Sequence, residues 1–360
     1  MLSRLSLFAV LLLSVPTVAS AGARAVSPVR DGNAINPLWS PDGSQIAYEV
    51  TSPQARVTDL YLLDVKAGRE VVVTPPASSG GLGDRFRERK QVNHEFAWSS
   101  RAGLYAFASS GTKDEFDIYV SGVTVPIGSD EKEGGAVFSK DSRSLVFSSA
   151  RTGEGDLYLL DIFELERAPV RLTQGDGLEF YAAFGSTGGL AYAAMSEDGA
   201  NIRVIDDPAR PERTDRALTS WKATQLKPSW SPDGRRIAFY SNHLKEDRTR
   251  FDLYVAAASG DGVPQKIVEN VIPNERRGPS WTPDGRRIAT VLNDANAGDP
   301  VVLVEVASGR VVVLDTGTVN NAEADVTADE RGRVRVAFVS QGQRSAADQS
   351  WRRVWVFEVE

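Results

Sequence analysis

The sequence predicts an all-β protein, a seven-bladed β-propeller of four-stranded antiparallel blades, with six blades as the alternative. The prediction starts from one strand–turn–strand segment, Trp230-Ser231-Pro232-Asp233-Gly234 followed by Arg235-Arg236-Ile237-Ala238-Phe239. Near-copies of this segment begin at Trp39 and Trp281. Related segments recur at intervals of roughly 40 to 60 residues, the size of a propeller blade. No sustained helical periodicity appears after the first residues of the chain.

The turn in this segment explains why the two strands reverse direction there. Proline presets φ, aspartate hydrogen-bonds to its own backbone, and glycine takes the left-handed position. Asp42, Asp233 and Asp284 are therefore interpreted as turn residues. The alternative, calcium binding, would require several carboxylates together, whereas each turn supplies one.

The repeats define units 1 to 7, each starting with a strand that ends in a large apolar residue. These residues are Trp39, Trp98, Phe138, Phe184, Trp230, Trp281 and Val326. A second strand resembles Ile237-Ala238-Phe239, a third often starts with Asp, an apolar residue and Tyr, and a fourth is short. Units 2, 3, 4 and 7 lack the Pro-Asp-Gly turn, which is why six blades remain the alternative.

The two ends of the chain predict how the propeller closes. Unit 7 has only three predicted strands, while the segment Val26–Arg30 precedes unit 1 without a partner. We expect this segment to form the outer strand of the last blade, because closure removes an open sheet edge. Pro28 is tolerated there, since an outermost strand can lack one N–H group.

The first residues resemble a secretory signal. Arg4 provides the positive charge, residues 5–15 the apolar core and Ala19-Ser20-Ala21 the cleavage site. We expect a signal peptide over 1–21, a propeller over 22–360 and a periplasmic location without a further membrane segment. The 360-residue chain has no cysteine, so disulfides are excluded. Its net charge of -7 argues against nucleic acid as a partner.

From about residue 35 onward, the Trp-Ser-Pro-Asp-Gly turns, the Ile-Ala-Phe strands and segments such as Asp252-Leu253-Tyr254-Val255 resemble the TolB-family propeller repeat. TolB is a periplasmic partner of the lipoprotein Pal and of the Tol envelope complex. The resemblance thus implies a propeller that docks another envelope protein. TolB carries an α/β domain before its propeller, and this chain is expected to lack it.

The sequence contains no recognisable catalytic motif. A Gly-x-Ser-x-Gly elbow is absent, so a prolyl-oligopeptidase-like hydrolase domain is not expected. Oligogalacturonate lyases have similar propellers and hold a metal with several histidines, but this chain has only His94 and His243. We therefore expect no catalytic residues, no metal and no cofactor.

Basic loops predict a docking surface on one face. The long connection 75–93, the loop 242–250 and the segment 275–277 should emerge on the same side of the propeller, and long loops in compact domains are often functional. Arginine and aromatic residues are favoured in protein interfaces. The predicted partner-binding residues are Arg85, Phe86, Arg87, Arg89, Lys90, His243, Lys245, Arg248, Arg276 and Arg277.

The sequence thus predicts a periplasmic, non-enzymatic binding or scaffold protein, monomeric on its own, whose partner is a periplasmic or outer-membrane-associated protein. The alternative is a carboxylate-based enzyme, a lyase or a lactonase-like hydrolase, acting at the propeller channel.

Overall fold

A computed structural model describes residues 22–359 except 53–56, 74–91, 102, 111–114, 124–125, 154, 176 and 344–350. The predicted signal peptide, 1–21, lies outside the described residues. The same holds for five predicted interface residues, Arg85, Phe86, Arg87, Arg89 and Lys90.

The described part of the chain is nearly all β-structure, with one helical turn. Its elements, in chain order, are β1 (Arg24–Ala25), β2 (Asn33–Trp39), β3 (Gln45–Ser52), β4 (Val57–Asp64), β5 (Arg69–Val73), β6 (Asn93–Trp98), β7 (Tyr105–Ser109), β8 (Asp117–Val120), β9 (Glu133–Phe138), β10 (Ser144–Ser149), β11 (Asp156–Asp161), β12 (Val170–Arg171), β13 (Glu179–Phe184), β14 (Leu190–Ser196), β15 (Gly199–Ile205), α1 (Pro211–Thr214), β16 (Asp215–Ala217), β17 (Gln225–Trp230), β18 (Arg236–Ser241), β19 (Phe251–Ala257), β20 (Gln265–Ile272), β21 (Ser280–Trp281), β22 (Arg287–Leu292), β23 (Val301–Glu305), β24 (Val311–Val313), β25 (Thr318–Val319), β26 (Ala322–Ala328), β27 (Val334–Ser340), β28 (Gly342–Gln343) and β29 (Arg353–Glu358). No helix within these ranges has the length and apolar character needed to cross a membrane.

The strands form antiparallel sheets that follow the predicted units. Among the described residues, four-stranded sheets comprise β2–β5, β9–β12, β13–β16, and β26, β27, β29 with β1. Strands β6–β8 form a three-stranded sheet, and β17–β24 form an eight-stranded one in which β20 pairs with β22. Within each unit consecutive strands pair with each other, because short turns connect antiparallel neighbours directly.

Apolar cores lie between successive sheets. The second strand of each unit is buried on both faces, as in Ile237, Ala238 and Phe239, none of which is exposed. Indole N–H groups form hydrogen bonds between adjacent units. Trp230 Nε1 of unit 5 donates to Ala183 O of unit 4 at 2.9 Å. Two other indoles do the same at 3.2 Å, Trp98 to Leu38 O and Trp281 to Ser229 O.

The turns between first and second strands share one hydrogen-bond pattern in units 1, 3, 5 and 6, although unit 3 lacks the Pro-Asp-Gly motif. Asp233 Oδ1 accepts bonds from Ser231 Oγ at 2.5 Å and from the Arg235 N–H at 3.1 Å. In unit 3, Asp141 Oδ1 accepts the equivalent bonds, and Ser142 takes the glycine position with φ of 61°. These contacts account for the aspartates as turn residues.

Replacing Gly234 with valine is expected to lower the free energy of unfolding by roughly 1–3 kcal/mol. Gly234 has φ of +70°, and an added Cβ would lie 2.8 Å from Ser186 Oγ. Asp233→Asn is the matched control, because an asparagine oxygen accepts the same hydrogen bonds. Denaturant unfolding of both variants measures the difference, and equal stability for Gly234→Val and wild type would contradict the turn assignment.

The N-terminal segment pairs with β29, but it starts earlier than predicted and only part of the predicted range 26–30 takes part. The paired strand β1 places Arg24 opposite Val356 and Ala25 opposite Trp355, and the Val26 N–H continues the pairing by donating to Val354 O at 2.9 Å. Pairing ends after Ser27, whose hydroxyl accepts the Val354 N–H at 2.9 Å. The next residue is a proline without an N–H group, so the ladder cannot continue through it.

Candidate functional site

The first strands of the units surround a cavity of about 510 Å³. Residues from all of the predicted units line it. Its walls are aromatic and include the strand-ending residues Trp39, Trp98, Phe138, Phe184, Trp230 and Trp281. A concave, largely apolar site of this volume with a few polar groups is the usual form of a small-molecule site.

A repeated backbone bulge shapes the polar part of this region. In most first strands the register shifts three residues before the strand-ending residue, as between Ile35 and Leu38 of β2. The residues at this position adopt positive φ, which is uncommon for side-chain-bearing residues. They are Asn36 (52°), Glu95 (57°), Gly135 (62°), Tyr181 (54°), Lys227 (57°) and Glu323 (58°). Bulges re-aim side chains, and such strained positions concentrate at functional sites.

Glu49 is a buried carboxyl group at the cavity wall. It lies on β3 and is 1% exposed. Its Oε1 accepts hydrogen bonds from Asn36 Nδ2 and from the Glu95 N–H, both at 3.1 Å, whereas its Oε2 has no partner. Burial raises the pKa of Glu49 to about 8, although nearby Arg276 favours the ionised form. The group therefore keeps its proton at neutral pH.

A second buried carboxyl group, Glu323, connects units 7 and 1. It is 4% exposed, and its Oε2 accepts a hydrogen bond from the Asn36 N–H. Burial raises the pKa of Glu323 as well. The side-chain oxygen Oδ1 of Asn36 has no partner in the described structure. Unpartnered buried acceptors are costly, which makes this corner suited to a ligand that donates hydrogen bonds.

Residues 273–279 form a strap that leaves the sheet before the short strand β21 and joins several units. Asn274 O accepts a bond from Lys227 Nζ at 2.5 Å, and Asn274 Nδ2 donates to Ala324 O at 3.4 Å. Arg277 donates to Pro37 O. The strap thus contacts units 5, 7 and 1, and it delivers two arginines to the cavity wall.

The two strap arginines have incomplete hydrogen bonding. Arg276 lies 3.8 Å from both Glu95 and Glu275, and its Nε is buried without a hydrogen-bond partner. Arg277 Nε lies 3.7 Å from Asp325 Oδ1 and also lacks a hydrogen bond. These separations exceed those of a charge-assisted hydrogen bond, so each guanidinium retains donor capacity.

Lys227 sits beneath the strap. Burial lowers its pKa to about 8, and its ammonium lies 5.1 Å from the centre of the Tyr181 ring. The lysine therefore acts as a hydrogen-bonded support for the strap at neutral pH rather than as a free surface charge.

The predicted interface residues within the described ranges have different surroundings. Arg276 and Arg277 face the cavity, and Lys245 is neutralised by an ion pair with Asp252 at 2.7 Å. His243 stacks on Trp221 with 4.2 Å between ring centres, and Arg248 is exposed.

Sequence reasoning missed Glu49, Asn36, Glu95 and Glu323. A signal for three of them was present in the repeat itself, because Asn36, Glu95 and Glu323 each precede a strand-ending residue by three positions. Glu49 could have been found as the charged residue within the apolar strand 46–50.

The histidines lie in separate surroundings. His94 packs on Phe116 with ring centres 4.5 Å apart, and burial lowers its pKa. Across the described ranges, no group of three or more His, Cys, Asp or Glu has an arrangement that could hold a metal ion.

Glu49→Gln is expected to flatten the pH dependence of stability. The folded carboxyl holds its proton up to about pH 8, against 4.5 for the ordinary group. The folded state therefore binds more protons between these values, so stability falls as pH rises from about 5 to 8, by at most about 1.4 kcal/mol per unit. Denaturant unfolding at pH 5, 6.5 and 8 measures this slope. Glu212→Gln, on exposed α1, should keep the wild-type slope, and an unchanged slope for Glu49→Gln would contradict the assignment.

No protein-family model matches this chain, and no curated protein matches it at the level of sequence. Solved structures share its fold. An oligogalacturonate lyase from Vibrio parahaemolyticus aligns with TM-score 0.63 and 12% identity, over 96% of this chain and 96% of that chain. A puromycin-hydrolyzing peptidase from Mycobacterium tuberculosis aligns with TM-score 0.59 and 16% identity, over 92% of this chain and 52% of that chain.

TolB-type proteins are also among the structural neighbours. The putative TolB from Agrobacterium tumefaciens is 16% identical over 94% of both chains, with a TM-score of 0.48, too low to support an argument. The likenesses as a whole show a β-propeller fold. Because similar folds here carry both a lyase and a peptidase, the fold alone does not identify the function.

Proposed function

We propose that this protein is an exported β-propeller that binds a small polar ligand in its central cavity. In this proposal residues 1–21 are a cleaved signal peptide, residues 22–360 form one domain of seven blades, and the protein works in the periplasm.

The blade number and closure are supported by repeated contacts between units. Arg236 of unit 5 covers the Trp281 ring at 5.1 Å and donates to Gly285 O at 2.7 Å. Arg335 of unit 7 covers Trp39 of unit 1 at 4.6 Å and donates to Gly43 O at 2.8 Å. The contact between the last and first units thus repeats the contact between two consecutive units, as a closed ring requires.

One observation carries the ligand proposal. Glu49 is almost completely buried at the wall of a 510 Å³ cavity, with Oε2 unpartnered. A purely structural carboxyl group would be expected to have both oxygens hydrogen-bonded, since an unmet buried polar atom destabilises the fold. A perturbed carboxyl group in a cavity is a typical feature of a functional site.

Ligand screening by tryptophan fluorescence tests this proposal, because tryptophans form the cavity wall. A set of amino acids, sugars, nucleotides and organic acids is titrated against wild type, Glu49→Gln and the surface control Glu212→Gln. We expect at least one compound whose binding is retained by the control and weakened by Glu49→Gln. If no compound binds, or if every compound that binds has the same affinity for Glu49→Gln as for wild type, the cavity is not the functional site. Mass analysis of a bound compound after incubation separates binding from the alternative, carboxylate catalysis.

Docking of an envelope protein is a second candidate function. Leu244 is 85% exposed in the loop 242–250. Its neighbour His243 stacks on Trp221, and Arg248 of the same loop is exposed. An exposed apolar residue flanked by aromatic and arginine side chains suits an interface.

Pull-down from envelope extract compares wild type with Leu244→Ser and with the triple change of Arg85, Arg87 and Arg89 to serine. Loss of the same captured protein in both variants at low salt supports docking through this face. Capture unaffected by either variant argues against it. Cell fractionation and N-terminal sequencing test export and cleavage after Ala21.

A further inference from the structure

We infer that the cavity binds a zwitterionic α-amino acid, free or as a dipeptide, with its carboxylate on Arg276 and its ammonium group on Glu49 and Asn36. This inference rests on the proposed ligand-binding function and deepens it by naming the ligand class.

The first step is the charge of the cavity wall. Glu95 and Asp325 line it together with Arg276 and Arg277, and Glu49 adds a carboxyl group that can ionise when a cation binds beside it. A ligand of a single charge would meet groups of its own sign, and such contacts are unfavourable. A ligand that carries both charges a few bonds apart can place each one against its complement.

The second step concerns the acceptors. Glu49 Oε2 and Asn36 Oδ1 are buried without partners, and the two side chains are joined by the 3.1 Å bond from Asn36 Nδ2 to Glu49 Oε1. An ammonium group has three donors and no acceptor, so it can satisfy both oxygens at once. An ammonium group would also stabilise the ionised form of Glu49, which carries a proton in the empty cavity.

The third step concerns the donor. The Arg276 side chain is 34% exposed, its ion pairs with Glu95 and Glu275 are 3.8 Å long, and its Nε is unpartnered. A planar guanidinium binds a carboxylate through two parallel hydrogen bonds, which are shorter and stronger than these contacts. A ligand carboxylate would therefore improve the pairing of Arg276 at little cost to existing bonds.

The fourth step concerns the apolar part of the ligand. Phe96, Trp98 and Trp230 line the cavity and are only partly buried. Partly buried aromatic walls favour an apolar or aromatic side chain, because burying such a group is favourable and ring pairs add to it.

Isothermal titration calorimetry with the twenty common amino acids, their D-forms and Leu-Leu tests the inference. For any compound that binds, its N-acetyl and amide derivatives are titrated next. We expect each blocked derivative to bind at least about tenfold more weakly, since it loses one of the two charges. Glu49→Gln and Arg276→Gln should weaken the free compound to a similar extent, whereas Arg248→Gln, an exposed arginine away from the cavity wall, should not.

Proton release provides an independent readout. Binding near pH 7 should release protons from Glu49, so the apparent binding enthalpy should differ between phosphate and Tris buffers, and this difference should vanish in Glu49→Gln. If no amino acid or dipeptide binds, or the blocked derivatives bind equally well, the inference is wrong. The cavity would still be a ligand site if a sugar, nucleotide or organic acid from the fluorescence screen required Glu49.

Discussion

Deletion of residues 22–30 should lower the free energy of unfolding by about 3 kcal/mol or more and favour self-association. The deletion removes β1 from its pairing with β29 and the buried Ala23 from the core of units 6 and 7. It also leaves Arg353 without the Ser27 carbonyl to which it donates. A half-buried guanidinium and an open strand edge would then face solvent or a second molecule.

Thermal unfolding and size-exclusion chromatography measure both effects. Val29→Ser is the control, because Val29 is 73% exposed and its side chain contributes little to the core. A monomeric elution profile with wild-type melting for the deletion would show that the N-terminal strand does not close the ring.

Gly278→Ala is expected to displace the strap, destabilise the fold by about 3 kcal/mol and abolish ligand binding. An added Cβ would lie 2.5 Å from Lys227 O and 2.8 Å from Pro228 O, and both atoms belong to the backbone of β17. Backbone cannot rotate away as a side chain can, so either the strap or β17 must shift. A shifted strap moves Arg276 away from the cavity wall.

Denaturant unfolding and the fluorescence titration check this prediction. Gly262→Ala is the control, because Gly262 has positive φ but no atom within 4 Å of an added Cβ. It should show only the cost of a left-handed alanine, roughly 1 kcal/mol. Gly278 does not have positive φ, so similar losses in the two variants would contradict the predicted contact between its added Cβ and the β17 backbone.

Most of the strands could be predicted from the sequence because the forces that define them are local. Alternating apolar residues and turn residues within ten positions specify strand, turn and strand. Unit 3 forms the same turn around Asp141, with Lys140 and Ser142 in place of Pro and Gly. The N-terminal strand was misplaced by two to three residues. The position of this strand depends on its pairing with β29, which is distant in the sequence. It also depends on Pro28, which has no N–H group and ends the pairing.

The candidate site could not be predicted from local sequence in the same way. The repeated β-architecture, the apolar interior and the positions of the turns follow from the sequence alone, since each of them depends on neighbouring residues. The sequence does not show that Glu49, Asn36 and Arg276 share one cavity. These residues are brought together by the packing of units 1 and 6 around the centre, and by a strap that leaves its sheet. Burial, unmatched hydrogen bonds and shifted pKa values arise from that packing, so the place where this protein can bind a ligand is a property of the folded chain and not of any local segment.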